Sequence, residues 1–334
     1  MPLSPDPRLA HDGSGMRKGL ATASVFACAL VTGWTAAEAP AAVPTTTVAT
    51  ISTSRIATIV PSDARDLGPE IERVALTSRD RVVRAADDGR WSGVPIVADD
   101  ATALLDQLVT AERAVRDPVV TGAELAFMGH LQQLVYRRLI ERPDLRDGVF
   151  SAIPQDVRGA ADLNIAAGAD LYLFGPGGAR ELPAWRIVSA PPMSALLADY
   201  REAQAEFGVP WYYLAAVNLV ETRMGRIRGD SYAGAQGPMQ FMPKTWDMYG
   251  EGDINDTHDA ILAAGRYLSA AGAPEKIEKA IWMYNHDNEY VDAVMKYAAV
   301  MRADPSAFRG YYGWQVYFVT TSGTFLLPVG WSKD

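Results

Sequence analysis

The chain has 334 residues, 49% of them hydrophobic and 21% charged, and a formal net charge of -9. That is enough for one large or two ordinary domains with a real apolar core. The acidic balance and the lack of any dense Lys/Arg run exclude nucleic acid as a partner, because phosphate recognition needs a basic footprint.

At the N-terminus, Arg17-Lys18 precedes the apolar run GLATASVFACALVTGW and then TAAEAPAA, with Ala37-Glu38-Ala39 offering small-residue cleavage positions. A positive segment, a short apolar run and an A-x-A pattern read as a secretory signal over residues 1–39. Left uncleaved, the same run would anchor the chain, though it is short of the roughly 20 residues a membrane span typically needs. Either way the chain is expected outside the cytoplasm, secreted or in the cell envelope. Cys28, inside the apolar run, is the one cysteine. Once the signal is removed there is no disulfide, no thiolate nucleophile and no cysteine metal ligand. Residues 40–65 are rich in Thr, Ala, Ser and Pro, which disfavours a packed core, and read as a linker.

From residue 66 the pattern turns helical. ATALLDQLVTAERAV and GAELAFMGHLQQLVYRRLIER carry apolar residues at i, i+3, i+4 and i+7, the stripe of an amphipathic helix. DVRGAADLNIAAGADLYLF continues it, and the glycines and prolines of 175–192 mark a boundary. We therefore read 66–180 as a helical accessory region. In the second half, SALLADYREAQAEFG is expected to run from a Ser194 N-cap to Gly208 as its stop. Pro210 suits the first turn of PWYYLAAVNLVETRMG, which ends at Gly225. A glycine-studded loop, AGAQGPMQFMP (233–243), follows, and then a short helix PKTWDMYG. Three more helices are expected over 256–272, 274–285 and 288–304. The aromatic and β-branched tail 311–331, broken by Ser322-Gly323, reads as a hairpin. The fold class is thus all-α, with an N-terminal α-helical region, a helical domain over 181–304 and a short C-terminal β-hairpin in 305–334. No feature points to an oligomer, and the chain is read as a monomer.

The four histidines (11, 130, 258 and 286) show no metal-ligand spacing. The acidic loop 251–259 lacks the order of ligands of a calcium loop and reads as a capped helix start. Pro243 stands before Lys244-Thr245 where a phosphate loop needs glycine, and no G-x-S-x-G elbow exists. Neither metal nor cofactor is expected. Glu221 stands out instead. It lies near the C-terminal end of its helix, which disfavours a carboxylate, with Val217, Val220 and Met224 as helical neighbours. Desolvation there should raise its pKa and keep it protonated near neutral pH. The ordinary alternative is an ion pair with Arg223, Arg226 or Arg228. In the loop eight residues on, Gly234 and Gly237 let a ring approach the backbone, and Gln236 and Gln240 offer donors and acceptors. Met239 and Phe241 offer apolar area. One protonated acid beside a neutral, ring-accommodating loop suggests glycosidic-bond cleavage. Most glycosidases use a second carboxylate, and Asp230 is the nearest acid on the loop side.

At these residues the chain resembles the lytic transglycosylases of bacterial peptidoglycan, which share a goose-type lysozyme-like helical fold. VETRMGR (220–226) resembles the segment carrying their catalytic glutamate, and SYAGAQGPMQFMPKTW (231–246) their S-x-x-G-A-x-G-x-M-Q-x-M-P-x-T loop. DAILAAGRYL (259–268) resembles their D-A-[IV]-x-A-A-x-Y-L helix, and IWMYNHD (281–287) their A-Y-N segment. The resemblance covers about residues 190–304. It implies a lysozyme-like catalytic domain over 181–304, peptidoglycan glycan strands as partner, and Glu221 as general acid and then general base. It implies saccharide contacts for Ser231, Gln236, Met239, Gln240, Phe241, Tyr284 and Asn285. It also implies a reaction without water: Glu221 protonates the oxygen linking N-acetylmuramic acid to N-acetylglucosamine, then deprotonates the muramoyl C6 hydroxyl, which closes a 1,6-anhydro ring. Two departures stand out, Pro238 in the loop and His286-Asp287 after Tyr284-Asn285. The alternatives are a hydrolytic muramidase using Asp230 or Asp253 to position water, and a non-catalytic wall-binding scaffold.

Overall fold

A computed structural model of the chain describes residues 93–174, 179–321 and 323–333, and of residues 172–174 only the backbone. The expected signal segment, the linker and the first part of the accessory region lie outside the described residues.

The first helices are where the apolar stripes place them: α1 (Ala101–Arg116), α2 (Gly122–Glu141) and α4 (Gln155–Phe174). A shorter helix, α3 (Pro143–Ala152), which no stripe announced, begins on its own proline, as proline suits a first helical turn. Then come β1 (Arg186–Ile187), α5 (Met193–Phe207), α6 (Trp211–Thr222) and β2 (Ile227–Arg228). The remaining helices are α7 (Pro243–Tyr249), α8 (Thr257–Ala270), α9 (Ile277–Tyr284), α10 (Asn288–Ala303) and α11 (Phe308–Tyr312). β3 (Val316–Thr320) pairs with β4 (Gly323–Leu327) as an antiparallel hairpin, as the tail pattern predicts. The architecture is all-α with that hairpin and one further short antiparallel pair, β1 with β2.

Two local expectations are corrected. Helix α5 starts at Met193 with Pro192 at its cap, and Ser194 lies one residue inside. The rigid Pro191-Pro192 pair sets the start before a serine cap is needed. Pro210 is likewise the cap of α6 rather than its first turn, and the Trp211 N–H is satisfied by Gln204 Oε1 at 2.7 Å. Gly208 does end α5, in the left-handed conformation at φ 75°.

One apolar core runs from Val97 on the N-terminal side to Tyr317 and Leu326 in the hairpin. It includes Leu104 and Leu108 of α1, Leu131 and Leu134 of α2, Leu214 and Val217 of α6, and Val294 and Ala298 of α10. α10 packs on both α4 and α6, so the core is continuous across residue 180. A second, smaller core joins Leu182, Trp185, Ile187 and Ile227 to Phe318, Phe325 and Trp331. Through it the hairpin is tied to β1, and β1 to the strand that follows α6. Among the described residues no helix is long and apolar enough to cross a membrane.

α6 is the centre of this arrangement. Every residue from Tyr213 to Thr222 is buried. A helix apolar all round is a core helix rather than a surface one, so a carboxylate placed on it has no solvent face to turn to.

Candidate active site

Glu221 lies in the last turn of α6 and is 4% exposed. Burial pushes its carboxyl from the usual 4.5 up to about 8, while a hydrogen bond from Tyr290 pulls in the opposite direction. Tyr290 Oη donates to Glu221 Oε1 at 2.8 Å. The adjacent end of the helix dipole also disfavours negative charge here. The ion-pair alternative is not what forms. Arg223 donates to the Leu219 carbonyl, at 2.5 Å, and faces the Trp314 ring. Arg226 donates to Tyr312 O and Arg228 to Asn255 O. Among the described residues no salt bridge reaches Glu221. What remains is a carboxylic acid protonated at neutral pH, chemically able to give up a proton and take one back.

After Glu221 the chain turns sharply. Arg223 and Met224 have φ of 53° and 61°, followed by Gly225 at 76°. Two successive non-glycine residues in the left-handed region carry strain of about 1–2 kcal/mol each. Thr222 Oγ1 accepts from the Gly225 N–H (2.9 Å) and donates to the Pro238 carbonyl (2.6 Å). Asn218 Nδ2 donates to the same carbonyl (2.9 Å), and Tyr200 Oη holds Asn218 Oδ1 (2.6 Å). A wholly buried polar chain thus fastens the loop to the helix that carries Glu221.

The turn that presents this carbonyl accounts for Pro238. The Gln240 N–H bonds to the Gly237 carbonyl at 3.1 Å, so residues 237–240 form a turn with Pro238 at its second position, where its fixed φ is favoured. Gln236 and Phe241 pair across it, with N···O distances of 2.8 and 2.9 Å. Gly237, at φ 73°, passes so close to the Ile254 carbonyl that a Cβ would overlap it. Gly234, at φ 83°, has open space around its absent side chain.

The expected saccharide contacts divide into groups. Met239 is 0% exposed and Phe241 3%, so their side chains belong to the core and support the loop from beneath. Phe241 packs edge-on against Trp246, Tyr267 and Tyr284. Their hydrophobicity, which suggested a surface for sugar rings, is spent on anchoring. Gln240, at φ 50°, is partly exposed, with its Nε2 on the Gly237 carbonyl. Ser231 is buried and its Oγ accepts from the Ala235 N–H (3.0 Å), closing the start of the loop. Gln236 Nε2 reaches Asp230 Oδ2 at 3.2 Å.

Tyr284, at the end of α9, donates to the Met239 carbonyl at 2.5 Å. Burial first, and then the nearness of Glu221, push its hydroxyl well above the usual tyrosine range. So Tyr284 is a neutral hydroxyl close to the acid. Asn285 is buried beside it. The His286-Asp287 departure has a structural reason: Asp287 is the N-cap of α10 and accepts from the Tyr290 N–H at 3.1 Å. His286 is exposed and lies edge-on to Trp282, 4.5 Å between ring centroids. Tyr290 is the residue that sequence reading missed. It is 69 positions from Glu221, and only the packing of α10 on α6 brings them together.

Asp230 and Asp253 are both exposed. Asp256 caps α8 by accepting from the Asp259 N–H, so the acidic loop does start a helix. Asp256, His258 and Asp259 also place one ligand atom each within 4.8 Å of one another, a grouping that linear spacing did not suggest. His258 bonds Glu202 and Asp259.

No family model matches the chain. Membrane-bound lytic murein transglycosylase F of Thiobacillus denitrificans is 26% identical over 121 residues, 34% of this chain and 26% of that relative. The chain therefore matches about a quarter of that relative's length. The Escherichia coli lytic transglycosylase SLT35, solved in complex with bulgecin A, aligns over 64% of this chain and 96% of its own, with a TM-score of 0.31 and 13% identity.

Proposed function

We propose that the chain is a peptidoglycan lytic transglycosylase of the cell envelope, and that Glu221 is its single acid and base. The observation that carries this reading is a buried carboxyl raised to about 8, fastened to an uncharged turn-rich loop and next to the neutral hydroxyls of Tyr284 and Tyr290. A family name on a relative that matches the chain in part agrees with it.

In this mechanism the protonated Glu221 gives its proton to the oxygen joining C1 of N-acetylmuramic acid to N-acetylglucosamine. The C1–O bond breaks and the N-acetylglucosamine leaves with a hydroxyl. The Glu221 carboxylate then takes the proton of the muramoyl C6 hydroxyl as that oxygen bonds to C1. The products carry a 1,6-anhydro ring, and the acid ends protonated as it began. A carboxyl raised toward neutrality suits both halves, because acid and base strength are best balanced near the working pH. Tyr290 holds the carboxyl by Oε1. Ser231, Gln236, Gln240, Tyr284 and Asn285 border or hold the sugar, with Met239 and Phe241 bracing the loop. Catalysis is assigned to residues 181–304, with 66–180 as accessory region and the chain a secreted or anchored monomer.

The test is to digest purified peptidoglycan with the protein and weigh the released muropeptides. Fragments one water lighter than reducing-end muropeptides are expected. Reducing ends would replace this reading by a hydrolytic muramidase, and binding without release by a scaffold.

A further inference from the structure

Two buried polar side chains of the first helices, Glu112 of α1 and Gln132 of α2, have no part in the mechanism above, and each is 1% exposed. Glu112 is paired with Arg116 and accepts from the Tyr136 hydroxyl and from Gln132 Nε2, the last at 2.6 Å. Gln132 Oε1 in turn accepts from the indole Nε1 of Trp314 at 3.0 Å. A carboxylate only accepts and an indole only donates, so the amide between them has a single orientation. α2 and the residues after α11 come this close because glycine stands on both sides. A Cβ on Gly129 would lie 2.6 Å from the Gly310 carbonyl oxygen and 2.9 Å from Gly313 Cα.

Trp314, itself buried, contacts both elements that hold Glu221. Its ring faces the Arg223 guanidinium, whose Cζ is 5.9 Å from the ring centre, within the range of a cation–π contact. Arg223 is the first of the two left-handed residues after α6 and donates to the Leu219 carbonyl in the helical turn that carries Glu221. Strained backbone of that kind persists only when its surroundings impose it. The same indole lies edge-on to Tyr297 at 5.6 Å and to Tyr311 at 5.0 Å. Tyr297 is on α10, about two turns after Tyr290 and on the same side of the helix, and Tyr290 donates to Glu221.

On the reading of Glu221 as acid and base given above, we infer that Trp314 is a positioning residue for it, fixed by Gln132 and Glu112. The indole braces the strained turn that ends α6, and it seats α10, whose Tyr290 holds the carboxyl. The helices before residue 180 and the tail after 304 thus reach the acid through one side chain.

Infrared titration of the Glu221 carboxyl, found as the C=O band that Glu221→Gln lacks, tests this without turnover. Trp314→Phe keeps an aromatic ring but loses the N–H. Gln132→Met keeps most of the amide's volume but loses its acceptor, and either folded variant suffices. The Tyr290 bond pulls the carboxyl pKa down, so loosening it should raise the titration midpoint by about 0.5 pH or more. Release from peptidoglycan should fall about tenfold or more with it. Tyr311→Phe removes a buried hydrogen bond to Asn164 (2.6 Å) in the same cluster but leaves the Trp314 N–H on Gln132. It should cost stability and leave the midpoint in place. An unmoved midpoint in the Trp314 and Gln132 variants, or an equal rise in Tyr311→Phe, would overturn the proposal. A raised midpoint in a protein whose wild type releases nothing would keep the positioning role and remove the catalytic reading. Anhydro ends from the wild type, with the midpoint unmoved in the variants, would do the reverse.

Discussion

Replacing Glu221 with glutamine should stabilise the folded protein, and by an amount that depends on pH. In the folded state the carboxyl keeps its proton up to about pH 8, while in the unfolded chain it loses it near 4.5. Below pH 4.5 both states hold the proton, and the buried neutral acid is at no disadvantage. Between 4.5 and 8 the unfolded state is favoured progressively, by about 1.36 kcal/mol per pH unit. At pH 7 the wild type has therefore lost about 3 kcal/mol of the stability it had at pH 4 from this group alone. Glutamine imitates the neutral acid: its Oε1 can still accept from Tyr290 and its Nε2 stands in for the protonated oxygen. Urea denaturation of both proteins from pH 4 to pH 8 is the assay. The two should be alike within about 1 kcal/mol at pH 4, with glutamine ahead by about 3 kcal/mol at pH 7. A stability difference flat across that range would refute the claim that this carboxyl is held neutral by burial. The same variant cannot give up a proton, so peptidoglycan cleavage should fall by at least about 10²–10⁴-fold.

Tyr290→Phe removes the hydrogen bond that pulls the Glu221 pKa down, so the alkaline limb of the pH–activity profile should move to higher pH, with about 1 kcal/mol of stability lost; an unmoved limb would show that the bond has no influence on the acid. Gly237→Ala should cost well over 1 kcal/mol, because positive φ and overlap with the Ile254 carbonyl act together, whereas Gly234→Ala, with open space around it, should show the backbone penalty alone; thermal unfolding of the pair reads the difference. Thr222→Val keeps the shape but strips the Gly225 N–H and the Pro238 carbonyl of a partner, so a loss of about 1–3 kcal/mol is expected in denaturant titration. Desolvation is the largest single effect on His258 and lowers its pKa, but the acidic partners Asp259 and Glu202 together outweigh it and raise it. Its contribution is full below its ordinary 6.5 and fades as pH rises through the raised value; NMR titration of the imidazole checks the direction, and Glu202→Gln should lower it.

Much of the molecule is legible in linear order because helices are local structures. The stripes of α1, α2 and α4, the Gly208 stop and the β-branched hairpin tail each announce themselves within one window of sequence. Glu221 also shows itself, since Val217, Val220 and Met224 lie one turn or less away and already imply desolvation. The glycines of the loop mark a tight turn, and Gly237 is one. What the loop's apolar side chains do is a different matter. Met239 and Phe241 are equally consistent with a sugar platform and with an anchor, and only the surrounding α7, α8 and α9 decide that they are buried. Pro238 has no explanation until residues 237–240 are seen to close a turn that places it at the second position. Tyr290, which donates a hydrogen bond to Glu221, depends on α10 crossing α6, a contact between residues 69 apart. Trp314 meets Gln132, Arg223 and Tyr297 only in the folded chain, because α2, the end of α6 and α10 converge on the tail. The sequence by itself singled out Glu221 as a carboxyl with apolar neighbours on its own helix, while how fully it is desolvated was decided by the elements packed around that helix. The tertiary structure decided what holds that acid, because its partners lie on other elements.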